Sequence, residues 1–257
     1  MFTKTFRNHD RVAKTDFVIA GTQKGGTSVL DSYLRDHPQI CMARRKEVHF
    51  FDNEEFFKNN NPDYSVYDSF FKCDVGDRKR GESTPIYMYW YDAPRRMWDY
   101  NPLLRIIVLL RNPIERAYSH WNMERDRSIE NLDFLDAIQR EVERCREALP
   151  LQHRVYSYAD RGFYTEQLRR VWHFFGKEQT LVLRNEDLRS DPEATLSKVC
   201  SFLEVDSFGV VEPRQVHAIP YTRKMTADER DYLKALYSLE IRELEQLLGW
   251  DCSGWLD

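Results

Sequence analysis

The chain of 257 residues is 42% hydrophobic, 14% aromatic and 31% charged, the balance of a soluble globular protein of one or two domains and not of a disordered or fibrous one. Its 38 Lys and Arg stand against 42 Asp and Glu, a formal charge of −4, so no global basic field is available for nucleic acid. The longest apolar run, Ile106 to Leu110, is far too short to span a bilayer, and Met1 to Arg7 lacks the apolar stretch of a signal peptide. These features predict a cytoplasmic protein with neither a membrane nor a nucleic-acid partner. Five cysteines (Cys41, Cys73, Cys145, Cys200, Cys252) are odd in number and form no CxxC pair. They read as reduced thiols, not as a zinc site or a disulfide framework.

In chain order, the first buried strand is Asp16-Phe17-Val18-Ile19-Ala20, followed by Gly21-Thr22-Gln23-Lys24-Gly25-Gly26 and a helical segment from Thr27 to Arg35. A second strand, Arg105 to Leu110, runs into Asn112-Pro113-Ile114-Glu115. There Asn112 suits an N-cap, Pro113 the first helical position and Glu115 the positive helix end. The charged stretch from Glu124 to Arg154 has a helical period with Leu132, Leu135, Ile138 and Val142 as its apolar stripe, and predicts a helical insertion over about 123–160. A third strand is Thr180-Leu181-Val182-Leu183, with a helix beginning after Asp191-Pro192. Thr226-Ala227-Asp228-Glu229 is a capping box that opens a long amphipathic helix over 226–249, with Leu233, Leu236, Tyr237, Ile241, Leu244 and Leu248 on its apolar face and Gly249 at its end. Continuous apolar strands alternating with helices predict a single α/β domain built on a parallel sheet covered on both faces.

Gly21 to Ser28, GTQKGGTS, follows a strand and opens a helix. Gly25 and Gly26 allow close backbone approach to an anion, and the helix start offers unpaired N–H groups. The glycine spacing matches the nucleotide loop GxxxxGK[ST], but Thr27 stands at the lysine position and the loop's lysine is Lys24. A tight strand–helix turn without a ligand is the other reading of the loop by itself. KEVHFFD, Lys46 to Asp52, reads locally as a short strand with Val48 and Phe50 inward, which turns Glu47 and His49 to one side.

DFVIAGTQKGGTSVLDSYLRDHPQI resembles the 5′-phosphosulfate loop of the sulfotransferase family, and RIIVLLRNPIERAYSH (Arg105 to His120) resembles its 3′-phosphate segment. KEVHFFD and GESTPIY (Gly81 to Tyr87) resemble the heparan-type branch in the same order. So do the later GFYTEQLRRVWHFFG, LVLRNEDLRSDP and LLGWDCSGW, which are also similar to bacterial relatives. The resemblance implies a three-layer fold like that of P-loop proteins and, as donor, 3′-phosphoadenosine 5′-phosphosulfate (PAPS), with 3′-phosphoadenosine 5′-phosphate (PAP) as product; because a sulfuryl group carries less charge than a phosphoryl group and no carboxylate after the glycine loop demands one, no essential metal is expected. It assigns Gln23, Lys24, Gly25, Gly26, Thr27 and Ser28 to the 5′-phosphosulfate and Arg111 and Ser119 to the 3′-phosphate. Arg223 and Lys224, in the best match to a loop that closes over the 3′-phosphate, are equally read as a basic surface turn. Glu47 matches the general base, His49 and Asp52 line the same centre, and Lys24 can neutralise the leaving oxygen. Ser83 stands where heparan-type enzymes often carry Lys, and Gln23 and Ser28 where they often carry basic residues, which points away from a heparan acceptor. Tyr87, Tyr89, Trp90 and Tyr91 read as core packing in preference to an acceptor wall. The expected activity is sulfuryl transfer to a hydroxyl, less readily an amine, of a small-molecule or carbohydrate acceptor. A P-loop metabolite kinase and a catalytically silent nucleotide-binding module are the alternatives.

Overall fold

A computed structural model describes residues 14–59, 61–73, 78–214 and 220–257. Phe17–Gly21 (β1) leads into Thr27–Arg35 (α1) and then Ile40–Met42 (β2). Tyr64–Asp68 (α2), Lys79–Ser83 (β3), Ala93–Tyr100 (α3), Arg105–Leu110 (β4) and Pro113–Asp126 (α4) follow. Phe134–Gln139 (α5), Glu141–Glu147 (α6), Tyr164–Phe175 (α7), Thr180–Arg184 (β5), Asn185–Ser190 (α8), Pro192–Leu203 (α9) and Ala227–Leu248 (α10) complete the order. The strands form one parallel sheet in the order β2-β3-β1-β4-β5.

Strand alternation explains the two layers of core. Phe17 and Ile19 of β1, with Ile107 and Leu109 of β4, pack against Leu30 and Leu34 of α1 and Leu196, Val199 and Leu203 of α9. The opposite pleat, Val18, Ala20, Ile106, Val108 and Leu110, faces a larger core drawn from α3, α4, α7 and α10. The order reverses beside β1, where β3 lies on one side and β4 on the other. Open α/β sheets bind ligands at the carboxyl ends of strands at such a point.

The three strands anticipated from apolar runs are β1, β4 and β5, each in place to within a residue. The other two carry no such run. β2 is three residues long, and β3 reads KRGES. In β3, Gly81 gives its side-chain space to the Phe17 ring, which a Cβ there would meet at 2.0 Å. Glu82 is fully buried, accepting from the Tyr67 hydroxyl at 3.1 Å and the Thr84 hydroxyl at 2.6 Å.

The capping box of α10 is present, Gly249 ends that helix with φ 67°, and Asn112 caps α4 by accepting from the Ile114 N–H at 2.9 Å. Leu236 is an exception on α10, being 38% exposed. The anticipated insertion is two short helices, α5 and α6, and its first residues belong to α4. Val142 is not part of a buried stripe but is 59% exposed. α6 is anchored by Glu141 instead, whose carboxylate accepts from the backbone N–H groups of Ala159 and Asp160, both at 2.7 Å. Tyr87, Tyr89 and Trp90 pack in the core, whereas Tyr91 is 64% exposed.

The five cysteines are not all reduced thiols. Cys41 of β2 and Cys73 form a disulfide, while Cys145, Cys200 and Cys252 are free. Spacing along the chain gave no sign of the pair, because the register of β2 on β3 and the return of the chain after α2 bring the two residues together.

Candidate active site

The glycine loop leaves the carboxyl end of β1 and is held by backbone hydrogen bonds to β4 and within itself. The Thr22 N–H donates to the Leu109 carbonyl at 3.0 Å and the Gly25 N–H to the Thr22 carbonyl at 2.9 Å. A Cβ on Gly25 would come within 2.5 Å of the Leu109 carbonyl oxygen, so only glycine fits there. Gly26, the N-cap of α1, has φ 97° and no side-chain cap, which leaves the first N–H groups of the helix without a side-chain acceptor. Lys24 also adopts a left-handed conformation, φ 66°. Burial lowers the pKa of its ammonium, as do the nearby guanidinium groups of Arg111 and Arg127, while Glu124 and Glu47 act in the opposite sense.

Arg111 stands at the end of β4. One of its nitrogens donates to the Lys24 carbonyl at 3.4 Å, and another lies 3.7 Å from Glu115, so its guanidinium adjoins the loop. Ser119 is buried on α4. The turn carrying Arg223 and Lys224 packs on that helix, where the Tyr118 hydroxyl donates to the Arg223 carbonyl at 2.7 Å. Arg223 is engaged by both carboxylate oxygens of Glu229, which raises its pKa further, and Lys224 is exposed. The structure therefore brings Arg111 to the loop but gives Arg223 a carboxylate partner of its own.

KEVHFFD is not a strand. Glu47 and His49 are left-handed, with φ 60° and 55°, a conformation that costs an L-residue roughly 1–2 kcal/mol. It is held by three hydrogen bonds: the Glu47 N–H to the Ser83 carbonyl at 2.8 Å, the Val48 N–H to the Thr84 hydroxyl at 3.0 Å, and the Phe50 N–H to the Tyr87 hydroxyl at 3.0 Å. Val48 and Phe50 are buried, while Glu47 and His49 reach the same cavity. His49 Nδ1 lies 2.9 Å from Asp52 Oδ2, and its Nε2 lies 3.6 Å from Glu47 Oε2. Lys46 Nζ is 2.9 Å from the other Glu47 oxygen. Asp52 and Glu47 hold the imidazole charged, raising its pKa to about 9. The adjacent charged His49, aided by Lys46 and opposed by burial, lowers that of Glu47 to about 2. Burial opposes ionisation of Asp52, but His49 and Arg154 keep its pKa low.

The cavity has a volume of about 220 Å³. Gln23 of the glycine loop, Glu47, His49, Glu124, Arg127 and Arg154 supply polar lining, and Pro85, Ile86, Ile129 and Val155 the apolar part. The glycine loop and Glu47 thus open on one space. A second cavity, of about 520 Å³, is lined by Val29, Asn185, Leu188, Arg189, Pro213 and Arg214. It adjoins the loop through Asn185, whose side-chain amide donates to the Gly25 carbonyl at 3.0 Å. Sequence reasoning missed Glu124, Arg127, Arg154, Arg161 and Asn185. For Arg154, Arg161 and Asn185 the decisive partners lie far off in sequence, 102 residues for the Arg154–Asp52 contact, 138 for Arg161 with Gln23 and 160 for Asn185 with Gly25, while Glu124 and Arg127 pair with each other on and just beyond α4 and read as solvated helix charge.

The family described as sulfotransferase domain matches residues 14–220. The chain belongs to the sulfotransferase family. A sulfotransferase from Alicyclobacillus acidocaldarius is 30% identical, with a TM-score of 0.82 over 95% of this chain and 100% of that one. Among curated relatives, the membrane-associated sulfotransferase kil1 of Dictyostelium discoideum is 23% identical, covering 92% of this chain and 65% of its own. Heparan sulfate glucosamine 3-O-sulfotransferase 6 of Homo sapiens is 29% identical over 72% of this chain and 51% of its own. This sulfotransferase chain spans from 22% to 65% of the length of the first curated relatives it matches. Among its described residues, no helix is long and apolar enough to cross a membrane.

Proposed function

We propose that the chain transfers the sulfuryl group of PAPS to a hydroxyl, less readily an amine, on a small-molecule or carbohydrate acceptor, with Glu47 as general base and PAP as product. The observation that carries the reading is that Glu47, His49 and the glycine-loop residue Gln23 line one cavity. The residues present suit a nucleotide with phosphate at both ends. Gly25 and Gly26 let the loop fold tightly against Leu109 and Asn185, the uncapped start of α1 offers its N–H groups, Lys24 sits within the loop, and the Arg111 fork adjoins it. Thr27 and Ser28 lie at the start of α1, beside these groups. The second cavity, with Arg189 and Arg214 in its wall, is large enough for the nucleoside.

When bound, the donor supplies the sulfuryl group and a phosphate leaving group. Glu47, ionised at neutral pH, accepts the proton of the acceptor hydroxyl as that oxygen bonds to sulfur. The acceptor oxygen becomes more acidic as the new bond forms, so a carboxylate of low proton affinity suffices late in the transfer. His49, charged and held by Asp52, fixes the orientation of Glu47. Lys24 places positive charge at the loop where the phosphate oxygen departs.

The test is a thermal-shift comparison of PAP with ATP plus Mg²⁺, followed by Glu47→Gln. PAP at a hundredfold excess over its dissociation constant adds about 2.7 kcal/mol, which raises the midpoint by roughly 5–10 °C. Glu47→Gln keeps that shift and loses turnover. A shift with ATP–Mg²⁺ alone supports the kinase reading, and full function in Glu47→Gln supports the silent binding module.

A further inference from the structure

We propose that Arg154 is a positioning residue for the Glu47–His49 pair, and that through Arg161 it ties this pair to the glycine loop. The inference rests on the reading of Glu47 as base and adds residues that the sequence motifs do not contain. Arg154 grips Asp52 twice: one guanidinium nitrogen lies 2.5 Å from Oδ2, and the other donates to the Asp52 backbone carbonyl. Its guanidinium also stacks 4.3 Å from the Trp90 ring centroid. Asp52 has a choice to be settled. Oδ2 accepts from both His49 and Arg154, while Oδ1 is buried without a hydrogen-bond partner. A carboxylate with one oxygen engaged and one idle can rotate, and rotation would carry the His49 ring away from Glu47. The two contacts of Arg154, to side chain and main chain, select one rotamer.

The backbone of Arg154 is fixed in turn. Its carbonyl accepts from Arg161 Nη2 at 2.6 Å. Arg161 is fully buried, donates through Nε to the Ser157 hydroxyl at 2.8 Å and lies 4.8 Å over the Tyr89 ring. Its remaining nitrogen donates to the Gln23 side-chain oxygen in the glycine loop. A continuous set of contacts therefore runs Gln23–Arg161–Arg154–Asp52–His49–Glu47, joining both sides of the cavity. A salt bridge needed only for folding has no reason to lie at this wall, yet Arg154 lines the cavity and its side chain is 44% exposed.

The test is titration of isotope-labelled His49 by NMR in the full chain, comparing wild type with Arg154→Lys and Arg154→Ala. The charged groups facing His49 are Glu47, with Lys46 behind it, Asp52 with Arg154 behind it, and Glu124 and Arg127 of α4 across the cavity. Loss of a cation beside Asp52, by charge alone, raises the His49 midpoint. Release of Asp52 from its rotamer removes the hydrogen bond to Nδ1 and lowers it. The proposal requires the fall, by about one to two pH units in Arg154→Ala, with a smaller fall in Arg154→Lys. It also requires millimolar free guanidinium to restore the wild-type midpoint in Arg154→Ala. An unchanged or raised midpoint in either variant overturns the proposal, and Arg154→Lys carries the decision if Arg154→Ala does not fold. PAP binding to wild type, measured on the same samples, reports on the sulfotransferase reading independently, so failure of one is separable from failure of the other.

Discussion

The Asn185 side chain closes on Gly26: a Cβ at that glycine would lie 2.3 Å from the Asn185 amide nitrogen, the same nitrogen that donates to the Gly25 carbonyl. The first residue of α8 thus clamps the glycine loop. Gly26 also has φ 97°, outside the range open to an L side chain. Gly26→Ala is expected to destabilise the fold by about 1–3 kcal/mol and to weaken PAP binding at least about tenfold, because the helix start must move to make room. Calorimetric titration with PAP beside a melting curve checks both numbers. Unchanged affinity would mean that the α1 N-terminus is not the phosphate cradle.

The family resemblance implies that Arg111 and Ser119 hold the 3′-phosphate, and comparing PAP with AMP tests that contact. A hydrogen bond to a charged group contributes roughly 1.5–3 kcal/mol, or about 10- to 150-fold in affinity. Arg111→Ala is expected to lose that factor for PAP and to leave AMP nearly untouched, collapsing the preference between them. Equal losses for both nucleotides would place Arg111 at the 5′-phosphate instead, which its 3.4 Å contact with the Lys24 carbonyl also permits.

The Glu47–His49 pair sets a pH window for stability. The folded-state pKa of His49, about 9, lies above its ordinary 6.5, so its contribution is complete below 6.5 and lost as pH rises through about 9. For Glu47 the folded value, about 2, lies below the ordinary 4.5, so its contribution is complete above 4.5 and lost as pH falls through about 2. Both are therefore fully present between about 4.5 and 6.5. His49→Gln should flatten the decline of melting temperature between pH 6.5 and 9 relative to wild type. A decline of equal slope in His49→Gln would show that other groups carry it.

Much of this was legible because it is local. Apolar runs give β1, β4 and β5, cap residues give the ends of α4 and α10, and the glycine loop and KEVHFFD are contiguous words. What the sequence withheld depends on distant partners or on polar burial. β3 is hidden because its inward positions are a glycine shaped to Phe17 and a glutamate satisfied by Tyr67 and Thr84. KEVHFFD alternates in burial like a strand, yet its left-handed Glu47 and His49 are held by hydrogen bonds that its backbone N–H groups donate to Ser83, Thr84 and Tyr87, which no local pattern announces. Arg154 inside the insertion and Arg161 just beyond it look like solvated charge until the fold places Asp52 and Gln23 against them.

The disulfide makes the last prediction, and it bears on where the chain works. Cys41 and Cys73 are 32 residues apart, and the segment they close carries Glu47, His49 and Asp52. Closing a loop of that length removes chain entropy worth about 3–4 kcal/mol on the chain-entropy account, or roughly 10 °C in melting temperature. A reducing cytoplasm keeps such pairs open, so the cytoplasmic expectation and the cross-link pull in opposite directions. Counting thiols on the denatured, unreduced protein decides between them: the structure requires three, from Cys145, Cys200 and Cys252, whereas reduced thiols throughout require five. With the bond formed, reduction should lower the melting temperature and loosen the Glu47 segment more than the glycine loop. The loop is held by β4 and Asn185 and not by either cysteine, so turnover should fall while PAP binding persists. Equal loss of both on reduction would show that the cross-link supports the whole domain and not the base-bearing segment.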